Sequence, residues 1–175
     1  MAGSRLEKAK QALVSVIDNT DEGRDKLGLA SFNENGYLNQ QLTYNRDLIQ
    51  GEINSLIADG GTCTSEGLLK VRDEFLSGRH RDGVQPVLIL LGDGVNTCTN
   101  GDMEAIAVAD ELKAMGVLIF TIAFGGFDET NNLREIASQE EFFFVASEED
   151  LESIYFQIYS IVCEISEFNQ GETFQ

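Results

Sequence analysis

Tryptophan is missing from the sequence, proline and histidine occur once each, and cysteine three times in 175 residues. Each scarcity closes off a class of protein. Cys63, Cys98 and Cys163 are too few for a disulfide scaffold and lack zinc-finger spacing. His80, in the polar stretch GRHRDG, reads as a solvated loop residue, which leaves nucleophilic triad chemistry without its base. Pro86 opens an apolar run instead of marking a linker, and there is no low-complexity segment and no internal repeat. The longest apolar run, around Pro86 to Leu91, is strand-length and far short of the roughly 18 residues that a membrane span requires. Residues 1 to 10 show no apolar signal-peptide core. Positive charge is scarce as well. Twelve basic against thirty acidic side chains leave a formal charge of -18, which disfavours nucleic acid and anionic lipid as partners. A solvated acidic surface is the simplest reading of that excess, and cationic partners and divalent metals suit it.

What is present suits one domain with one buried core: 42% of the residues are hydrophobic, in a length typical of a single domain. Leu6, Ala9, Leu13 and Ile17 recur at helical spacing and predict a helix over 4–18. Residues 26–33 and 37–43 read as antiparallel strands, with Asn35-Gly36 favouring the positive φ angles of a tight hairpin turn. Helices follow at about 46–58 and 65–77, with the loop Asp59-Gly60-Gly61-Thr62 between them.

The run PVLILL, closed by Gly92-Asp93-Gly94, predicts a central strand covered on both faces. A helix ending at Gly116 leads to a second buried strand, VLIFTIAF, and two such strands joined by a helix form a right-handed parallel unit. A short helix near 133–138 and the strand EFFFVA come next. Ser147 and Asp150, at capping-box spacing, then introduce a long helix with Leu151, Ile154, Tyr155, Ile158 and Val162 on one face. The fold class is α/β: a doubly wound, mostly parallel sheet flanked by helices. The domain is expected over 1–165, with 166–175 as a polar tail.

In such sheets ligands sit beyond the carboxyl ends of the strands, where helix amino termini also point. Two segments qualify. GGTCTSEG places Thr62 just before a helix, and LLGDGVNT places Asp93 directly after the central strand. Taken singly, Thr62 is equally an N-cap hydroxyl and Asp93 a turn former beside glycine.

Together with MAGSRLEKAKQAL, GLASFN, LTYNRDL, VLIFTIAFG, LREIAS and EFFFVASEEDLESIYFQI, in this order, these segments resemble the von Willebrand factor A family. The resemblance covers nearly the whole chain to about residue 165. It implies a recognition or adhesion module, not an enzyme, with a metal-ion-dependent adhesion site holding Mg²⁺, Mn²⁺ or Ca²⁺ through hydroxyls and carboxylates. A carboxylate from a protein partner would complete the coordination. Thr62 matches the family's second-loop threonine and Asp93 its third-loop aspartate, while Gly92 stands where the family usually has Thr or Ser.

The first-loop motif Asp-x-Ser-x-Ser has no counterpart. In the family, Met-x-Gly-Ser-Arg-Leu follows that motif, so the resemblance implies that the family's first strand and three site residues lie upstream of Met1. That strand belongs between 26–33 and 86–91. The expected consequences are a strand supplied by another chain, a homo-oligomer, or a sheet collapsed so that these two segments meet. Cys63 and Cys98 sit in the two site loops and are expected either to form a disulfide or to remain buried thiols, with Cys163 unpaired. A bridge would point to an extracellular, cell-surface or periplasmic setting.

Two rivals remain. LLGDGVN also resembles the Gly-Asp-Gly-x-Asn-Asp motif of haloacid-dehalogenase-like phosphatases, but Thr97 replaces its second aspartate and no strand end supplies the nucleophilic Asp-x-Asp. The other is a metal-free structural or assembly module of the same fold.

Overall fold

The computed structural model describes residues 3–92, 96–125 and 131–171. In chain order the elements are α1 (Gly3–Ile17), β1 (Leu27–Phe32), β2 (Gly36–Thr43), α2 (Arg46–Ser55), α3 (Thr64–Leu76), β3 (Val87–Gly92), α4 (Gly101–Ala114), β4 (Leu118–Phe124), α5 (Asn131–Ile136), a 3₁₀ turn (Glu140–Phe142), β5 (Phe143–Ala146) and α6 (Leu151–Gly171). The last helix therefore continues through residues assigned above to a polar tail.

Side-chain alternation along β4 organises the core. Phe120, Ile122 and Phe124 point to one face, against Ala9, Ala12 and Val16 of α1 and Leu151, Ile154, Tyr155 and Ile158 of α6. Ile119 and Ala123 point to the other, against Leu68 of α3, Ala105, Val108, Ala109 and Leu112 of α4, and Leu133 and Ile136 of α5. The one hydroxyl on this buried strand, Thr121 Oγ1, donates to the Leu133 carbonyl at 2.8 Å, so its burial leaves no unpaired donor. Tyr155 is packed so completely that burial pushes its phenol well above the ordinary value.

Local chemistry sets the element ends. The Asn45 side chain accepts from the Leu48 amide and caps α2. Gly116, at φ +86°, closes α4: its amide reaches the Lys113 carbonyl, and the Val117 amide reaches that of Leu112, the paired bonds of a Schellman motif.

Two expectations are corrected. The Asn35-Gly36 pair does not form a positive-φ turn, for neither residue lies in the left-handed region. Phe32 pairs with Gly36, leaving the three-residue loop 33–35, in which the Asn33 side chain accepts from the Asn35 amide at 2.9 Å. Gly36 is needed for another reason: a Cβ there would come within 2.1 Å of the Glu66 carbonyl oxygen, so this glycine lets β2 approach α3.

The second correction concerns the sheet. The strands form two sheets, an antiparallel pair β1-β2 and a parallel trio β3-β4-β5, with β4 in the centre of the trio. The segment 86–91 thus contains an edge strand, and most of its apolar residues are only half-buried, unlike those of β4. β1 and β3 do not pair, so the collapsed arrangement is not adopted. Their outer edges have no strand partner among the described residues. The sheets nevertheless lie under common covers. Leu13 of α1 packs in the core containing β3 and in the smaller one that Ile17, Ile49 and Ile53 form with Leu27 and Leu29. Leu68 of α3 packs with both Phe32 and Leu90.

Candidate functional site

Three loops meet at the carboxyl ends of β1 and β3. The turn 33–35 leaves β1, the loop 59–63 leads into α3, and residues 96–100 lead into α4. The Cys63 amide donates to the Asn33 carbonyl at 2.7 Å, and the Gly61 amide to Glu34 Oε1 at 2.5 Å, fastening the first loop to the second. The second is fastened to the third more heavily. The Thr62 amide donates to Thr97 Oγ1 at 2.8 Å, the Thr97 amide to the Thr62 carbonyl at 2.9 Å, and the Thr64 amide to Asn96 Oδ1 at 2.9 Å. Cys63 and Cys98 are joined in a disulfide, their Cα atoms 5.5 Å apart, and Cys63 is buried. Cys163 is a free thiol.

Glycine is required where these loops touch. Gly60 has φ +75°, and a Cβ on it would strike the Glu34 carboxylate; a Cβ on Gly61 would lie 2.5 Å from Thr97 Oγ1. Asn100, the residue before α4, adopts φ 58°, a left-handed conformation that asparagine tolerates better than most side chains.

The third loop is anchored further. Asp102 Oδ1 accepts from Asn96 Nδ2 at 2.6 Å and from Asn132 Nδ2 at 2.8 Å, so one carboxylate ties the 96–100 loop to α5. Asn132 is buried, and its own Oδ1 accepts from the Leu133 amide at 2.8 Å. Sequence reasoning did not single out Glu34, Asn96, Asp102 or Asn132, and noted Thr97 only as a departure from a phosphatase motif. Asn96 and Thr97 lie in the same LLGDGVNT segment as Asp93, but only the fold reveals what they hold.

Thr62 is half-buried in this junction. Its amide and carbonyl are both taken by Thr97, and its hydroxyl has no hydrogen-bond partner among the described residues. Asp93 lies outside the described residues, and with it the expected Thr62–Asp93 juxtaposition. Among the described residues no three His, Cys, Asp or Glu side chains group as metal ligands. The side-chain acceptors beside Thr62, Thr97 Oγ1 and Asn96 Oδ1, are oxygens, the donor type a hard cation takes, and each is engaged by a backbone amide. His80 lies just before β3, at the opposite end of that strand from the 96–100 loop.

The von Willebrand factor type A domain model matches residues 1–157. The chain belongs to this family. Its fold is that of a von Willebrand factor type A domain, as solved structures also show. Proximal thread matrix protein 1 of the mussel byssus aligns with a TM-score of 0.78 at 25% identity, over 91% of this chain and 41% of that one. The present chain thus spans about two fifths of the mussel protein's length. A second structure of that protein, described as having a zinc-occupied MIDAS motif, aligns with a TM-score of 0.73 at 27% identity, over 90% of this chain and 40% of that one. The vWF domain of Mfa5, a type V pili tip protein from Porphyromonas gingivalis, gives a TM-score of 0.83 at 14% identity, over 92% of this chain and 89% of that one, a likeness of fold alone. No curated protein matches the chain. No helix among the described residues is long and apolar enough to cross a membrane.

Proposed function

We propose that this von Willebrand factor type A domain is a protein-recognition module whose contact point is the junction of the 33–35, 59–63 and 96–100 loops. A divalent cation would be held there in part by Thr62 and Asp93 and would accept a carboxylate from the partner. The observation that carries this reading is the Thr62 hydroxyl: every other polar group of Thr62 is engaged within the loop, while the hydroxyl has no described partner. The zinc-occupied MIDAS motif of the mussel structure supports a metal at this kind of site. Mg²⁺ is the ion we assign, with Mn²⁺ or Ca²⁺ as alternatives, on the oxygen chemistry of the donors. The Cys63–Cys98 bridge supports an oxidising setting, extracellular, cell-surface or periplasmic.

Isothermal titration of Mg²⁺, Mn²⁺ and Zn²⁺ into the protein tests the site. Saturable heat in the wild type that disappears in Thr62→Val supports it. Absence of heat with all three ions favours a metal-free assembly module, a reading to which the dense hydrogen bonding of the loops lends weight, since that framework needs no metal to hold it together. The same titration in the presence of a short carboxylate peptide reads the partner contact.

A further inference from the structure

At the other pole of the sheets, where β1 and β3 begin and β2 ends, cations gather around one aromatic ring. Lys26 Nζ lies 5.3 Å and the Arg81 guanidinium carbon 6.0 Å from the centroid of Tyr44, which is 38% exposed. Lys26 comes from the residue before β1, Tyr44 from the residue after β2, and Arg81 from the α3–β3 loop, so three separate segments build the cluster. Lys26 also donates to the Arg79 carbonyl at 2.6 Å, which fixes the loop against the start of β1. Val84, exposed in the same loop, adds an apolar edge.

In a chain with thirty acids and twelve bases, cations are expected to find carboxylates close by. Among the described residues these make no ion pair: Glu74, whose charge reaches Lys26, accepts from Nε and Nη2 of Arg79, and Asp25 faces Arg24. Among the described residues neither Lys26 nor Arg81 has an ion-pair partner; both are stacked on Tyr44 instead. A ring beneath two cations holds them in place without neutralising them, and keeps their outward N–H groups available.

We propose that Lys26, Arg81 and Tyr44 form a docking point for an acidic peptide segment of a partner protein, separate from the loop junction and independent of any metal. The cations supply charge-assisted hydrogen bonds to side-chain carboxylates, and the ring with Val84 supplies a face for the stem of a glutamate. The protein's net negative charge does not forbid this. At physiological salt the screening length is about 8 Å, so a bound peptide responds to the charges of its own pole and weakly to those beyond it. Charge complementarity selects the place: the acidic surface elsewhere repels acidic segments, and this cationic pole accepts them.

The test uses a short oligoglutamate peptide, with oligolysine and oligoserine as controls, titrated into the full chain in the presence of a chelator. Oligoglutamate should bind the wild type and oligoserine should not, while oligolysine reads attraction to the acidic surface elsewhere. Binding should weaken about fivefold to tenfold in the double variant Lys26→Met, Arg81→Met, as loss of two half-buried surface charge contacts implies, and vanish near 1 M salt, where screening acts within about 3 Å. Thermal melting of the double variant distinguishes a packing role: an unchanged midpoint with lost binding supports the docking point. No binding by the wild type overturns the proposal, as does equal binding by the double variant. Two further results also overturn it: preference for heparin over oligoglutamate would make the pole a generic polyanion site, and loss of self-association in the double variant would make a second copy the occupant.

Discussion

Thr62 and Thr97 are joined from both sides, the Thr62 amide to the Thr97 hydroxyl oxygen and the Thr97 amide to the Thr62 carbonyl, across 35 residues of chain. The second and third loops are therefore one unit, and a change at either threonine is felt at the other. Thr97→Val keeps the side-chain shape and removes the acceptor for the Thr62 amide. It should lower the urea midpoint with an unchanged slope, by about 1 kcal/mol, while Thr97→Ser leaves it in place. If metal binding is confirmed, Thr97→Val should weaken it as well, although Thr97 is not offered as a ligand.

The Cys63–Cys98 bridge closes a loop of comparable length. On the chain-entropy account, removing it by Cys63→Ser with Cys98→Ser should cost about 4 kcal/mol, read as a lowered denaturation midpoint. Thiol titration of the denatured, unreduced protein should count a single cysteine, Cys163. A count of three would contradict the bridge.

Glycine substitutions separate two roles of the same residue. Gly36→Ala drives a methyl into the Glu66 carbonyl and should destabilise by roughly 1–3 kcal/mol or more, as overpacking does. Gly51, on the exposed side of α2, has nothing within 4 Å of its Cβ position, so Gly51→Ala should stabilise by about 0.5–1 kcal/mol. Thermal melts of the two variants, moving in opposite directions, check both.

How much of this was legible beforehand depends on what each residue answers to. The order of strands and helices was readable because β4 is a continuous apolar run and α6 carries a periodic apolar face, and both are properties of sequence. The role of Gly36 was not, because Asn-Gly has a strong local meaning while the constraint comes from Glu66, thirty residues on. The half-burial of β3 was missed for the converse reason: PVLILL reports what the strand is suited to, not which neighbours it has. At the loop junction the motifs pointed to Thr62, but Glu34, Asp102 and Asn132 carry no signature and acquire meaning only by convergence.

Glu74 should make stability fall in acid. The Arg79 hydrogen bonds, more than burial opposes them, hold its carboxyl below the ordinary 4.5, and the Leu42 amide, donating at 2.8 Å, adds to the effect. A carboxyl lowered in the folded state binds its proton more readily when unfolded. Its contribution is therefore complete above about pH 4.5 and is lost as pH falls through the folded value. Glu74→Gln should flatten that part of the stability–pH curve and cost about 1–3 kcal/mol at neutral pH, measured by urea denaturation across the range.

The outer edges of β1 and β3 give an association prediction. Each backbone group left buried there without a partner would cost roughly 1–3 kcal/mol, which favours a strand contributed by another chain. Sedimentation should then show association that persists on dilution. A cooperatively folded monomer would count against strand exchange.

Among the described residues β1-β2 and β3-β4-β5 share no backbone ladder, and apart from the loop junction and the Lys26 bond to the Arg79 carbonyl the two sheets meet through side chains of the covering helices, chiefly α1 and α3. Hydrogen-bonded ladders open strand by strand, whereas a side-chain seam can part as a whole. The hairpin with α2 is thus built to exchange its amides in a separate, lower-energy opening than the trio, a sub-global unfolding in which the Cys63–Cys98 bridge would keep the departing half tethered at the recognition loops.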